Sequence, residues 1–168
     1  MVTRRRRVFE EGHRRKFLVI VDETPEVDSA LAYAAARVKR TGGRLVLLYV
    51  IEPQDFQQWL GVRQVQLEEE STKAKALFRL CRRKLNLQGF DSVEIEEVIR
   101  EGKKSEEIIE AIEEDEDIGI LVLGASTDPK GPGPLVSSLA AGRNAGSFPI
   151  PIVVVPGTLK PEDISSLA

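Results

Sequence analysis

Four stretches of the chain are apolar at nearly every position, and amphipathic stretches separate them. Residues 17–21, 45–51, 118–123 and 150–155 carry almost no polar side chain. Runs of that length suit strands covered on both faces, the usual state in a parallel sheet. Residues 93–99 are rich in β-branched side chains but open as an alternating pattern, which suits a strand at a sheet edge. Between the first two runs, Val27, Ala30, Leu31, Ala34, Ala35 and Val38 recur at helical spacing. Thr24 and Pro25 supply a start signal for that helix, and Gly42-Gly43 ends it. A long helix is predicted over about 65–87, ending near Gly89. A shorter one covers 104–114, with Ile108, Ile109 and Ile112 on one face and Ser105 near its cap. A fourth is expected from about 135 to 144. The order β-α-β-α-β-α-β-α-β implies an α/β fold: one doubly wound, five-stranded parallel sheet with helices on both faces and right-handed crossovers.

Length and composition narrow the classes of function. With 168 residues, 42% hydrophobic and 30% charged, the chain suits one domain with a real core. Its apolar runs fall far short of the roughly 20 residues that cross a membrane, and no apolar signal core follows the N-terminal arginines. Cys81 and His13 are the only residues of their kinds. That removes internal disulfides, zinc knuckles and His-pair metal sites, and disfavours a Ser-His-Asp triad. A cytoplasmic protein is the expectation. Cys81 sits among Leu77, Phe78, Leu80 and Leu85 and reads as core rather than redox-active.

Charge divides the chain into regions. Residues 1–16 hold seven basic side chains against Glu10 and Glu11, whereas the remainder holds 17 basic against 25 acidic. The expected organisation is a basic, flexible N-terminal arm over 1–15, one domain over 16–157 and a mobile tail over 158–168. A loose terminus outweighs nucleic-acid contact as the reading of that arm. The acidic run 113–117 lacks the ligand alternation and glycine of a calcium loop and reads as a solvated helix end.

Ligands of open α/β sheets bind beyond the carboxyl ends of the strands, where strand order reverses. Three loops qualify: Asp22-Glu23-Thr24, Val50-Ile51-Glu52, and the segment from Gly124 into the following helix. The last holds three glycines, three prolines and four hydroxyl residues up to Ser138. It can present backbone N–H groups and hydroxyls to an anion, or be a plain turn with a serine cap. Asp22 can cap the next helix or accept from a ribose hydroxyl. Phe56 and Trp59, in the loop after the second strand, suit either a lid or packing over the sheet. Other nucleotide folds fail on specific residues. Gly102-Lys103-Lys104-Ser105 lacks the upstream glycine of a P-loop, and no G-x-G-x-x-G follows the first strand. A receiver domain would need an Asp where Arg100-Glu101-Gly102 stands.

From about Lys16 to Pro156 the chain resembles the universal stress protein family. The resemblance rests on strands ending Val21-Asp22, Tyr49-Val50-Ile51 and Leu123-Gly124, and on the final Pro151–Pro156 run. The family's ATP motif, G-x-x-G-x9-G-[ST], is met by Gly124, by Thr127 for the second glycine, and by Ser137-Ser138 for the final Gly-Ser. What this implies is an adenine-nucleotide alpha-hydrolase-like fold with strand order 3-2-1-4-5. Asp22 would meet the adenosine and Val50 would line the adenine pocket. Leu123, Gly124 and Thr127 would border ribose and phosphates, and Ser137, Ser138 and Leu139 would approach phosphate oxygens. The implied ligand is ATP or a related adenine nucleotide, with magnesium as a companion ion. The implied assembly is a homodimer through strand 150–155, and the implied role is regulatory. A non-nucleotide stress protein acting through protein contacts is the alternative. Weak ATP hydrolysis has less support, since only Lys130 offers a cation within the phosphate loop.

Overall fold

In the computed structural model, which describes residues 5–53 and 60–168, the apolar runs pair side by side as strands. These are β1 (Lys16–Ile20), β2 (Arg44–Ile51), β3 (Ile95–Glu101), β4 (Ile118–Ala125) and β5 (Ile152–Pro156). The order is β3-β2-β1-β4-β5, and every neighbouring pair is parallel. The expected order and strand directions hold. β3 lies at an edge, as its mixed burial pattern requires.

Alternation along each strand feeds two cores. Phe17, Val19 and Val21 from β1 and its exit, with Leu45, Leu47 and Tyr49 from β2, face α1 (Val27–Thr41) and α2 (Leu60–Leu87). Leu18, Ile20, Val46, Leu48 and Val50 face the other way, toward α3 (Lys104–Glu114). A run with no polar residue was needed because both faces are covered. The six helical positions read from the first spacing are all buried in α1. Cys81 is buried as well, and burial pushes its thiol up to about 11, as fits a packing role. Phe56 and Trp59 lie outside the described residues.

Three segments differ from the sequence reading. The helix expected over 135–144 is instead a π-helical turn, Val136–Ala140, closed by Ala141 N–H donating to the Val136 carbonyl at 3.1 Å. A short 3-10 turn, Ala145–Ser147, follows it. Downstream, where a mobile tail was expected, the chain forms α4 (Pro161–Leu167). Ile164 and Ala168 are buried there, and the Arg40 guanidinium donates to the carbonyls of Ser165 (2.7 Å) and Ala168.

The third difference is the basic arm, which lies across the amino-terminal edge of the sheet. Arg7 N–H donates to the Glu116 carbonyl (3.1 Å) and Lys16 N–H to the Asp117 carbonyl (2.8 Å). The Arg6 guanidinium donates to Ile112 O at 2.6 Å and Asp115 O at 3.0 Å. This places a cation on the carbonyl end of α3, a helix with no basic residue in its own last turn. His13 Nδ1 meets Asp117 Oδ1 at 2.7 Å, and Arg14 meets Glu94 at 2.8 Å. Lys16 bridges Asp115 and Glu96; burial opposes its charge, but the two hydrogen bonds outweigh that and raise its pKa. Of run 113–117, read from sequence as a solvated helix end, Asp115, Glu116 and Asp117 therefore meet the N-terminal segment, while Glu114 pairs with Arg100 of β3 at 2.7 Å.

Candidate functional site

The strand order reverses between β1 and β4, and a cleft of about 200 Å³ opens at their carboxyl ends. Ile20 and Asp22 form one side, Leu123 and Gly124 another, and Thr24, Glu26 and Val27 lead into α1. Pro132 to Val136 form the facing wall, and Lys104 closes the rim. Of the eight residues singled out from sequence, Asp22, Leu123 and Gly124 meet in this cleft. Val50 is buried in the core on the α3 side of the sheet and does not line it. Ser138 and Leu139 line a neighbouring cavity, Thr127 is exposed, and Ser137 is exposed on the π-helical turn.

Local chemistry explains these placements. The Asp22 carboxylate accepts from the Thr24 N–H at 2.8 Å and from the Thr24 hydroxyl, forming a tight turn after β1. It is thus neither the cap of α1, which Glu26 occupies, nor committed on all its lone pairs. Gly124 meets the start of α1 so closely that a Cβ there would lie 2.7 Å from the Glu26 carbonyl carbon and closer still to its oxygen. The first motif glycine is therefore required by helix-to-strand packing alone.

The loop after β4 uses most of its own donors. Ser126 N–H donates to the Pro132 carbonyl (2.9 Å) and Gly131 N–H to the Asp128 carbonyl (3.0 Å). Asp128 N–H donates to Ser126 Oγ (3.1 Å), and Lys130 N–H to Asp128 Oδ1 (2.8 Å). Pro129, Pro132 and Pro134 have no N–H to give. A glycine-rich phosphate loop works by leaving amides free for the anion; here they close on the loop itself.

Charge at the rim is mixed. Lys104, the first residue of α3, sits opposite Asp22 and Glu26, and its ammonium lies 4.0 Å from Glu52 Oε1. Its backbone N–H also donates to Glu52 Oε2 at 3.4 Å. Outside the cleft, Tyr49 Oη donates to Glu70 at 2.7 Å, and burial followed by that bond drives its pKa upward. Lys73 pairs with Glu23 at 3.0 Å. Among the described residues no group of three or more metal-ligating side chains occurs, so a magnesium ion would depend on Asp22 and on ligand oxygens. Sequence reasoning placed Thr24 in a candidate loop but missed Lys104 and Glu26. The available signal was Gly102-Lys103-Lys104-Ser105, weighed only as a P-loop remnant.

Comparison with known proteins follows the same lines. The family model described as the universal stress protein family matches residues 13–156. No curated protein sequence matches the chain. Among solved structures, the universal stress protein UspA from Lactobacillus plantarum is 20% identical, with a TM-score of 0.65. That alignment covers 84% of this chain and 97% of the other. A universal stress protein from Archaeoglobus fulgidus in complex with dAMP is 16% identical, with a TM-score of 0.57 over 84% of this chain and 97% of that one. A universal stress protein in complex with cAMP is 16% identical, with a TM-score of 0.56 over 86% and 98%. At these identities the likeness is one of fold.

Proposed function

This chain belongs to the universal stress protein family, and from that premise we propose that it binds an adenine nucleotide as a regulatory ligand. The ligand's nucleoside end would enter the cleft between β1 and β4. The observation that carries this reading is the convergence of Asp22, Leu123 and Gly124 at the point where strand order reverses. Asp22 has lone pairs left for ribose hydroxyls, while Ile20, Val27, Ala30 and Leu123 give the apolar lining that a base needs. The relatives that hold dAMP and cAMP are in keeping with a nucleotide of this class. The cytoplasm is the proposed compartment; no described helix is long and apolar enough to cross a membrane.

Binding to the folded state alone raises stability by mass action, by about 2.7 kcal/mol at a ligand concentration 100 times Kd. For a domain of this size, that is an upward shift in melting temperature of roughly 5–11 °C. Thermal denaturation with millimolar adenosine, AMP and ATP, each with magnesium, is the measurement. An unmoved midpoint with all three would remove the nucleotide from the proposal.

The chain is proposed to act as a homodimer through β5. Among the described residues that strand pairs only with β4, which leaves it at the sheet's edge, and Val154 on it is 39% exposed. An open apolar edge favours pairing with a second copy about a two-fold axis. Sedimentation should give a dimer, and Val154→Lys should shift it to monomer without unfolding. A monomer at high concentration in the unmodified protein would count against the assembly.

A further inference from the structure

The long helix α2 carries a second apolar line on the side away from the sheet. Ala74, Phe78, Cys81 and Leu85 are buried and seat the helix. A helix turns by about 100° per residue, which places Val62, Val65, Ala76, Leu80 and Leu87 on one stripe half a turn away. Four of the seven large hydrophobic side chains exposed among the described residues lie there: Val62, Val65, Leu80 and Leu87, the last 80% exposed. Packing on the sheet explains the first line and not the second.

Charge along α2 is divided as well. Residues 60–71 hold Glu68, Glu69 and Glu70 against Arg63, whereas residues 72–87 hold six bases and no acid. Lys75, Arg79 and Arg83 follow one another at four-residue spacing, which weakens a helix left to itself. On the flanks, bases are paired within the chain: Lys73 with Glu23, Arg82 with Glu97 and Lys84 with Asp28. Glu69 and Arg83 are exposed on the stripe itself. A parallel neighbour would set basic half against basic half. An antiparallel copy sets each basic half against an acidic one.

We infer that α2 is a self-association surface on which two copies pair antiparallel, about a two-fold axis at Ala76. In that register Val65 meets Leu87 across the pair, Glu69 meets Arg83, Thr72 meets Leu80 and Ala76 meets its own copy. The line from Val65 to Leu87 is about 33 Å long. The small side chain at the axis lets the helices approach closely, and the symmetry forms the Glu69–Arg83 pair twice. α2 packs on β2 and β3, at the opposite end of the sheet from β5. Both surfaces can therefore be occupied at once, joining β5 dimers into larger assemblies. Glu69, Thr72 and Arg83 interrupt the apolar line, so this contact is the weaker one and fills at higher concentration.

Sedimentation of the full chain carrying Val154→Lys, which blocks β5, tests the contact alone. That protein should be a monomer when dilute and a dimer when concentrated. Arg83→Glu should weaken this dimer about tenfold, the scale of two exposed ion pairs lost together. Glu69→Arg should do the same, and the two changes combined should restore it. Ala76→Cys should give a covalent dimer on mild oxidation, whereas the parent, with only the buried Cys81, should not. That cross-link is expected with or without Val154→Lys, so it reads α2 independently of the β5 dimer. A monomer at every concentration of the Val154→Lys protein, or no cross-link through Ala76→Cys, overturns the proposal. So does a double charge swap that associates no better than its single variants. Binding to anionic vesicles without self-association would assign the face to a membrane surface and overturn it too.

Discussion

Gly124→Ala is expected to destabilise the fold by about 3 kcal/mol, near the upper end of what overpacking costs when the obstructing atoms cannot move. The added methyl would press on the Glu26 backbone carbonyl, which already accepts the Ser29 hydroxyl at 3.0 Å and forms the first turn of α1. Relief would require α1 to retreat from β4 and would open the layer beneath Ala30 and Leu31. For a chain of this length the loss lowers the melting temperature by roughly 6–12 °C. Because the contact is internal, the loss should be the same with or without nucleotide. Urea denaturation of the variant checks it. A midpoint within error of the parent protein would show that the helix yields, and that the motif glycine is kept for ligand approach instead.

Phe78→Ala should cost more, about 3–5 kcal/mol, the range for removing a fully buried aromatic side chain. α2 is 28 residues long but touches the core through one narrow line. Ala74, Phe78, Cys81 and Leu85 are buried, spaced four, three and four residues apart. Phe78 is the largest of them and 1% exposed, so its loss leaves a void between α2 and the sheet. Leu80 projects outward at 44% exposed, and Leu80→Ala should stay within about 0.5 kcal/mol. Chemical denaturation of the pair reads the contrast directly. Equal effects would mean that α2 is seated by a different face.

The contrast also shows which part of the fold is legible in the chain. Strands buried on both faces leave unbroken apolar runs, and α1 carries a stripe wide enough to read at sight. Both follow from burial, which selects side chains one position at a time. α4 left no such trace. Seven residues with Ile164 and Leu167 as their only large apolar side chains give no periodicity, and the helix is held by Arg40, more than 120 positions away. The arm is similar: its charges are visible, but their counter-charges at Asp115, Glu116 and Asp117 become partners only once β1 and β4 lie side by side. At the site, the rim positions follow from topology, so Asp22 and Gly124 could be named. Whether the loop's amides point outward or close on one another depends on backbone angles that composition does not fix. Three glycines and three prolines fit either case.

The two faces of the sheet are covered unequally. One lies under α1, α2 and α4. The other lies under α3 and a single π-helical turn that buries only Val136 and Leu139. Segments with few buried contacts exchange their amide protons through small openings that leave the rest of the molecule intact. The thin cover is therefore expected to exchange its amide protons faster than α1 and β1, which lie in the better-covered layer.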